Sequence, residues 1–209
     1  MPERTDTVIA EQVSYEEWLT GAFGTHTEWI QGVVIQISPV TDQHSELNQF
    51  LEILLLTLVR RTGGGRVFRD PMVMRPKPEL PARQPDLQVI LPERYAIIER
   101  QQVVGPAHLV VEIVSRGSSG VDRGDKFDEY ETGGVNEYWI VDPIRKDAHF
   151  YVLGEDGLFH AHLPSGTLYH SCVLPRLKLN LDWLWQTTFP DPEAIIELVK
   201  AMLADSASS

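Results

Sequence analysis

Two acidic residues stand where an apolar strand should exclude them. Glu112 interrupts the run Leu109-Val110-Val111-Glu112-Ile113-Val114, and Asp86 opens the run Leu87-Gln88-Val89-Ile90-Leu91. A lone carboxylate inside an apolar strand is costly unless it finds a cation, a proton or a metal ion. If the two runs pair as neighbouring strands, both acids reach one face of the sheet. Two hard oxygen ligands so placed suit Mg²⁺ (or Mn²⁺), which takes one or two carboxylates and keeps several waters. Lys126 follows in a polar segment where Asp122, Lys126 and Tyr130 fall on one helical face at i, i+4 and i+8. Its ammonium could orient a water or stabilise charge on a phosphate. The same residues also support a plainer arrangement: a buried Glu112–Lys126 salt bridge, with Asp86 capping a strand end.

Period and punctuation indicate the elements that must position these groups. Residues 1–12 carry no pattern and are expected to form a flexible tail. Ser14-Tyr15-Glu16-Glu17 has the S-x-x-E form of a capping box, predicting a helix that stops near Gly21. The segment TEWIQGVVIQISPV predicts a hairpin turning at Gln31-Gly32, with Glu28 in its first arm. Over residues 41–61 the period becomes helical. Leu47, Leu51, Leu54, Leu55 and Leu58 form a core-facing stripe, His44 extends it, and Gly63-Gly64-Gly65 ends it. Taken alone, a histidine at that place is more often a satisfied core or capping group.

Residues 66–75 predict one strand, 77–85 a proline-rich loop, 85–91 a short strand, and 92–106 a helical or irregular excursion. The strand carrying Glu112 is apolar on both faces, as a central covered strand is. A helix over 121–132, stopped by Gly133-Gly134, leads to a buried strand at 138–141. Beyond Pro143 a hairpin turns at Glu155-Asp156-Gly157, and an amphipathic helix covers 192–203. The expected organisation is an α/β fold in one domain over 13–204, with a disordered tail at 205–209.

Of the 209 residues, 43% are hydrophobic and 23% charged, which suits one soluble domain with a sizeable core. No apolar run approaches the roughly 20 residues of a membrane span, and residues 1–12 lack a signal-peptide core, so no membrane partner is expected. Cys172 is the only cysteine, which excludes an internal disulfide or a cysteine zinc cluster and makes a reducing, cytoplasmic setting the expectation. A net charge of −12 argues against indiscriminate nucleic-acid binding. The basic residues are nevertheless concentrated: residues 60–100 hold nine of the 18, against five acids. That segment is either a locally basic face or an ordinary solvated surface.

Four strings taken together, PDLQVI, LVVEIVS, DRGDKFDEY and GVNEYWIVDP, resemble the Uma2 family of restriction-endonuclease-like proteins, within the PD-(D/E)xK nuclease superfamily. The string EWIQGVVIQISP followed by His44 is similar to that family's opening hairpin and helix. The resemblance runs over residues 14–153 in order. It implies a restriction-endonuclease-like core, a mixed central β-sheet flanked by helices with N-terminal and C-terminal β-hairpins. It further implies that Asp86 and Glu112 are metal-binding acids and that the activity is endonucleolytic cleavage of DNA. The superfamily lysine normally stands two residues after the glutamate, where this chain has Val114. The resemblance implies that Lys126, from the following helix, replaces it, with Glu28, His44 and Tyr130 near the same site. The turn Ser115-Arg116-Gly117-Ser118-Ser119 departs from the family's Ser-Pro-Ser-Thr-like turn, which bears on loop geometry. Duplex cleavage is simplest with a symmetric pair of sites, so a homodimer is expected. The acidic surface also suits an alternative, a nuclease-fold binding or assembly module without turnover.

Weaker signals have plainer readings. His160-Ala161-His162 puts two imidazoles on one strand face without a third ligand nearby, which suits an exposed hairpin better than a metal pair. Ser115, Ser118 and Ser119 lack a G-x-S-x-G elbow, and Gly63-Gly64-Gly65 lacks the Lys-Ser/Thr of a P-loop. Trp183 and Trp185 are expected to pack or to form a dimer contact rather than to stack on bases.

Overall fold

The computed structural model describes residues 7–37, 40–115 and 123–205. Strand β1 (Thr7–Ala10), β2 (Thr27–Ile30) and β3 (Val33–Gln36) form a small antiparallel sheet in the order β1-β3-β2. The expected tail therefore needs correction over part of its length. Val8 pairs with Ile35 and Ala10 with Val34, and the β-branched Val8, Val34 and Ile35 favour the extended backbone of this solvent-facing edge strand. The β2–β3 hairpin turns at Gln31 (φ 48°) and Gly32 (φ 95°), the two positive angles a two-residue turn of this hand demands. Helix α1 (Tyr15–Leu19) is capped as expected, with the Ser14 hydroxyl accepting from the Glu17 N–H.

Helix α2 (Asp42–Arg61) buries its whole leucine stripe, and the Thr41 side chain caps it by accepting from the His44 N–H. The predicted single strand at 66–75 is two strands in different sheets. β4 (Arg66–Arg69) ends at Pro71, which has no N–H to donate to a ladder, and β5 (Val73–Arg75) resumes beyond it. β6 (Leu87–Ile90) follows the proline-rich loop. A 3₁₀ helix (Pro92–Ile97) and β7 (Gln102–Val104), parallel to β5, make up the excursion before β8 (Leu109–Ile113). Helix α3 (Asp125–Gly133) ends at Gly134, which takes the left-handed conformation (φ 89°) that stops a helix most cheaply at glycine. Asp122 and the start predicted for this helix lie outside the described residues.

β9 (Glu137–Asp142), β10 (Asp147–Leu153) and β11 (Phe159–Ala161) complete a six-stranded mixed sheet in the order β11-β10-β9-β8-β6-β4, in which only β8 and β9 run parallel among the described strands. β12 (Leu168–His170) and β13 (Lys178–Asn180) pair separately. Helix α4 (Pro192–Asp205) takes in Asp205, the first residue of the expected C-terminal tail; residues 206–209 lie outside the described residues. One face of the large sheet packs Leu109, Val111, Ile113 and Trp139 against the stripe of α2 and against Ile195, Val199 and Met202 of α4. The other packs Val110, Ile140 and Tyr138 against Tyr130 of α3. Glu112 and Lys126 belong to this second side, so the site sits where α3 covers the sheet.

A second buried acid shows what a purely structural carboxylate looks like here. Glu137 accepts from Trp139 Nε1 (2.7 Å), Tyr169 OH (2.8 Å), Ser171 Oγ (2.9 Å) and the Val173 N–H (2.9 Å), all neutral donors. Glu137→Ala would orphan three buried donors and one half-buried donor at once. At about 1–3 kcal/mol for each unsatisfied group, partly relieved by water, a loss of at least 3 kcal/mol is expected in urea unfolding. Trp183 packs edge-on against Phe50 at 6.4 Å, as expected of a packing residue.

Candidate active site

The pairing of β6 with β8 decides whether the two strand acids meet. It is antiparallel, with Leu87 opposite Val111 and Gln88 opposite Val110. Continuing that register by one residue sets Asp86 across from Glu112 on the same face. Asp86 Oδ2 reaches over to the β8 backbone, accepting from the Ile113 N–H at 2.6 Å, and contacts His44 Nε2 at 3.1 Å. Asn48, one turn after His44, donates to the Asp86 carbonyl at 3.4 Å.

Glu112 is engaged through both oxygens. Tyr130 OH donates to Oε1 at 2.7 Å, and Lys126 Nζ lies 2.9 Å from Oε2. Lys126 and Tyr130 are four apart on α3, so one helix face delivers both to the same carboxylate. Burial first, and the Glu112 charge second, push the Tyr130 phenol well above its ordinary value, so it stays a donor. Glu28, from β2, lies 4.0 Å from Lys126 Nζ through Oε1 and accepts from Arg83 Nη1 at 2.8 Å through Oε2. Burial alone would raise the Glu28 carboxyl; Lys126 and Arg83 outweigh it and hold the group below the usual carboxylate range.

All six residues named from sequence, Asp86, Glu112, Lys126, Glu28, His44 and Tyr130, thus join one connected cluster. Asp86 is its most open member, with its side chain 16% exposed against 4% for Glu112 and 10% for Lys126, so solvent approaches from the Asp86 side. Arg83, Glu129, Asn48 and Asp70 were not anticipated. Arg83 forks onto Glu129 through Nε (2.7 Å) and Nη2 (2.6 Å). Its place in a proline-rich loop, three residues before Asp86, carries no periodic signal. Asp70 is pushed up by burial and then by the negative charge of Asp86. The histidines of β11 and its flank take no part: His160 pairs with Asp156 at 2.9 Å, and His162 lies 3.8 Å from Cys172 Sγ.

Among the described residues, no group of three or more His, Cys, Asp or Glu side chains is arranged to hold a metal ion. Asp86 and Glu112 nevertheless offer the oxygen donors of a sparsely liganded Mg²⁺ site. A second observation fits such a site. Of the five buried side-chain polar atoms without a partner among the described residues, two belong to the residues that bond to Asp86, His44 Nδ1 and Asn48 Oδ1, and two more, Gln84 Oε1 and Gln88 Oε1, belong to residues two positions to either side of it in sequence. Unpaired buried polar groups mark places that take up water or an ion.

His44 carries a pH signature. Burial would lower its pKa, but the hydrogen bond and charge of Asp86 overcome this and raise it. A raised histidine stabilises the fold fully below its unfolded pKa of about 6.5, and the contribution is lost as pH rises through the folded value. His44→Gln is therefore expected to cost most stability below about pH 6.5 and progressively less above it. Urea melts at pH 5.5, 7.0 and 8.5 would show this; a constant difference would contradict it.

A family model described as "Putative restriction endonuclease", Uma2, matches residues 14–182. The chain belongs to the Uma2 family. That match extends beyond the strings recognisable in sequence and takes in every residue of the cluster. Among solved structures, the Uma2 chain is similar to one from Anabaena variabilis, described as "a putative nuclease belonging to DUF820". The two share 16% identity with a TM-score of 0.68, over 83% of this chain and 97% of the other. At that identity the likeness establishes a common fold, including the mixed sheet flanked by helices. No curated protein matches this Uma2 chain. Among the described residues, no helix is long and apolar enough to cross a membrane.

Proposed function

We propose that this chain is a Mg²⁺-dependent endodeoxyribonuclease that hydrolyses phosphodiester bonds with an activated water. The observation that carries the reading is the register that sets Asp86 across from Glu112 with Lys126 at 2.9 Å from the latter. Asp86 and Glu112 are the residues that would hold the ion, which when bound supplies charge neutralisation on the phosphate and a more acidic water. His44, on the Asp86 oxygen, aligns that carboxylate and can hold a phosphate oxygen when protonated. Tyr130, kept neutral, fixes Glu112. The Lys126 ammonium orients the attacking water or meets the charge growing on the phosphate. Glu28 is the counter-charge to Lys126 and Arg83. A cytoplasmic homodimer would bring two such sites to opposite strands of a duplex.

The test is cleavage of supercoiled and linear DNA by purified protein with Mg²⁺, with Mn²⁺ and with EDTA, beside Asp86→Asn. Metal-dependent nicking that the variant lacks is the expected result; equal cleavage by the variant, or with EDTA, would sink the reading. A binding or assembly module without turnover is the second reading, favoured by the engagement of both Glu112 oxygens with protein partners. It predicts no rise in melting temperature at millimolar Mg²⁺, whereas a metal that binds the folded state must raise it.

A further inference from the structure

Arg83 takes no part in the cleavage step just described, yet its guanidinium is almost wholly buried and uses all three nitrogens. Nε and Nη2 fork onto Glu129, and Nη1 meets Glu28. Its backbone is fixed as well. Arg83 exchanges hydrogen bonds with Met74 (2.8 and 3.0 Å), and the preceding Ala82 does so with Trp29 (3.1 and 2.9 Å). The guanidinium therefore projects from loop backbone that is bridged to β5 and β2, three residues before Asp86.

Its target, Glu129, lies on α3 three residues after Lys126 and next to Tyr130. Other ties hold α3 at its ends. Arg123 binds Asp147 and His149, Lys77 donates to the Thr132 carbonyl, and Glu131 accepts from the Phe159 N–H. The fork on Glu129 acts instead at the turn that carries the functional side chains, and a bidentate pair fixes orientation as well as distance. The second limb matters because Glu28 lies 4.0 Å from Lys126, a competitor for the ammonium that Glu112 holds at 2.9 Å.

We infer that Arg83 is a positioning residue: through Glu129 it fixes the turn of α3 that presents Lys126 and Tyr130 to Glu112, and by occupying Glu28 it keeps that carboxylate from drawing Lys126 away. The inference rests on the nuclease reading for its kinetic consequence alone.

Arg83→Lys keeps the charge but cannot fork. Glu129→Gln removes the charge from the other side of the same contact. The test compares both, and their double, by steady-state cleavage with Mn²⁺, by calorimetry of Mn²⁺ binding, and by crystal structures without metal. A kcat lower by roughly 10–10²-fold is expected in each single variant, the range that small misplacement produces. The double should be no worse than the worse single, because both remove one interaction. KM for the duplex and the number of Mn²⁺ bound per chain should stay as in wild type, and in the Arg83→Lys crystal Lys126 Nζ should have moved from Glu112 towards Glu28. An unchanged kcat in both singles overturns the inference, and so does a loss of kcat matched by a loss of Mn²⁺-binding sites, which would mark mere unfolding. Should Arg83→Lys fail to fold, Glu129→Gln carries the kinetic comparison. If wild type does not cleave, the nuclease reading falls, and the position of Lys126 in the crystals alone decides this one.

Discussion

Lys126→Met is expected to lower divalent-dependent cleavage by roughly 10²–10³-fold in kcat, the cost of removing one preorganised donor from a developing anion. The same substitution should tighten Mg²⁺ binding. In the metal-free protein the ammonium stands 2.9 Å from Glu112 Oε2, where it competes with any cation for that carboxylate. Methionine fills a similar volume without the charge, so Glu112 is left buried beside the neutral Tyr130 hydroxyl. Without metal, breaking a buried ion pair from one side costs about 3–5 kcal/mol, and Mg²⁺ would offset it by taking the lysine's place. A larger rise in melting temperature with millimolar Mg²⁺ for Lys126→Met than for wild type, together with lost cleavage, is the expected pair of results. Equal shifts would mean that the ion does not use Glu112.

That pairing separates the two arrangements the residues left open at the outset. A structural salt bridge and a metal-site lysine look alike in a metal-free protein, since each places an ammonium on a buried carboxylate. They differ in what happens when a divalent ion competes, and in whether the remaining oxygens are satisfied. Glu137 is the internal comparison: four neutral donors saturate it and it adjoins no unpaired group. At Asp86 the pattern is the reverse: both residues that bond to it, His44 and Asn48, keep a buried polar atom without a partner among the described residues. The strand acids are thus of two kinds, and only one kind has capacity to spare.

The parts of this arrangement legible in sequence were those with a period. The leucine stripe of α2 placed His44 on the buried face, and the apolar runs marked β6 and β8; that the two pair, and with Asp86 against Glu112, was only a condition in the sequence and is a finding of the fold. The absence of lysine at Val114 directed attention to α3, where Lys126 does reach Glu112. What could not be read was carried by irregular chain. Arg83 lies between prolines in a loop, with no neighbour in sequence to suggest two carboxylate partners from β2 and α3. The break in residues 66–75 did have a signal, the Asp70-Pro71 dipeptide, which outweighs the alternation around it because proline ends a ladder. Half of the basic residues fall within 60–100, but several are consumed internally: Arg83 in its fork, Arg75 over the Tyr15 and Trp29 rings, Arg94 on the carbonyls of Pro106 and Ala107. Charge counting along a sequence cannot tell such residues from a surface patch.

Arg83→Met is expected to be among the most destabilising single changes at the site. It removes the cation between two carboxylates, Glu28 and Glu129, of which the first is almost wholly buried. Breaking a buried pair from one side costs about 3–5 kcal/mol, because the partner charge stays behind without compensation. For a chain of this size that corresponds to a fall of about 6–20 °C in melting temperature. If the cost is uncompensated charge, neutralising the acids should return most of it. The triple variant Glu28→Gln, Arg83→Met, Glu129→Gln is expected to lie much nearer wild type than Arg83→Met alone, whereas a cost from lost packing would persist in the triple. The acid limb gives an independent check. Glu28 has a depressed folded pKa, so its contribution is complete above its unfolded value of about 4.3 and is lost as pH falls through the folded one. In Arg83→Met the Lys126 charge and the hydrogen bond from the Gln84 N–H remain to depress it, without the charge and hydrogen bond of Arg83. The stability gap between wild type and variant should therefore be largest above about pH 4.3 and close as the pH drops below the wild-type folded value. A gap that stays constant on acidification would locate the loss in packing around the Arg83 side chain rather than in the carboxylate charges it meets.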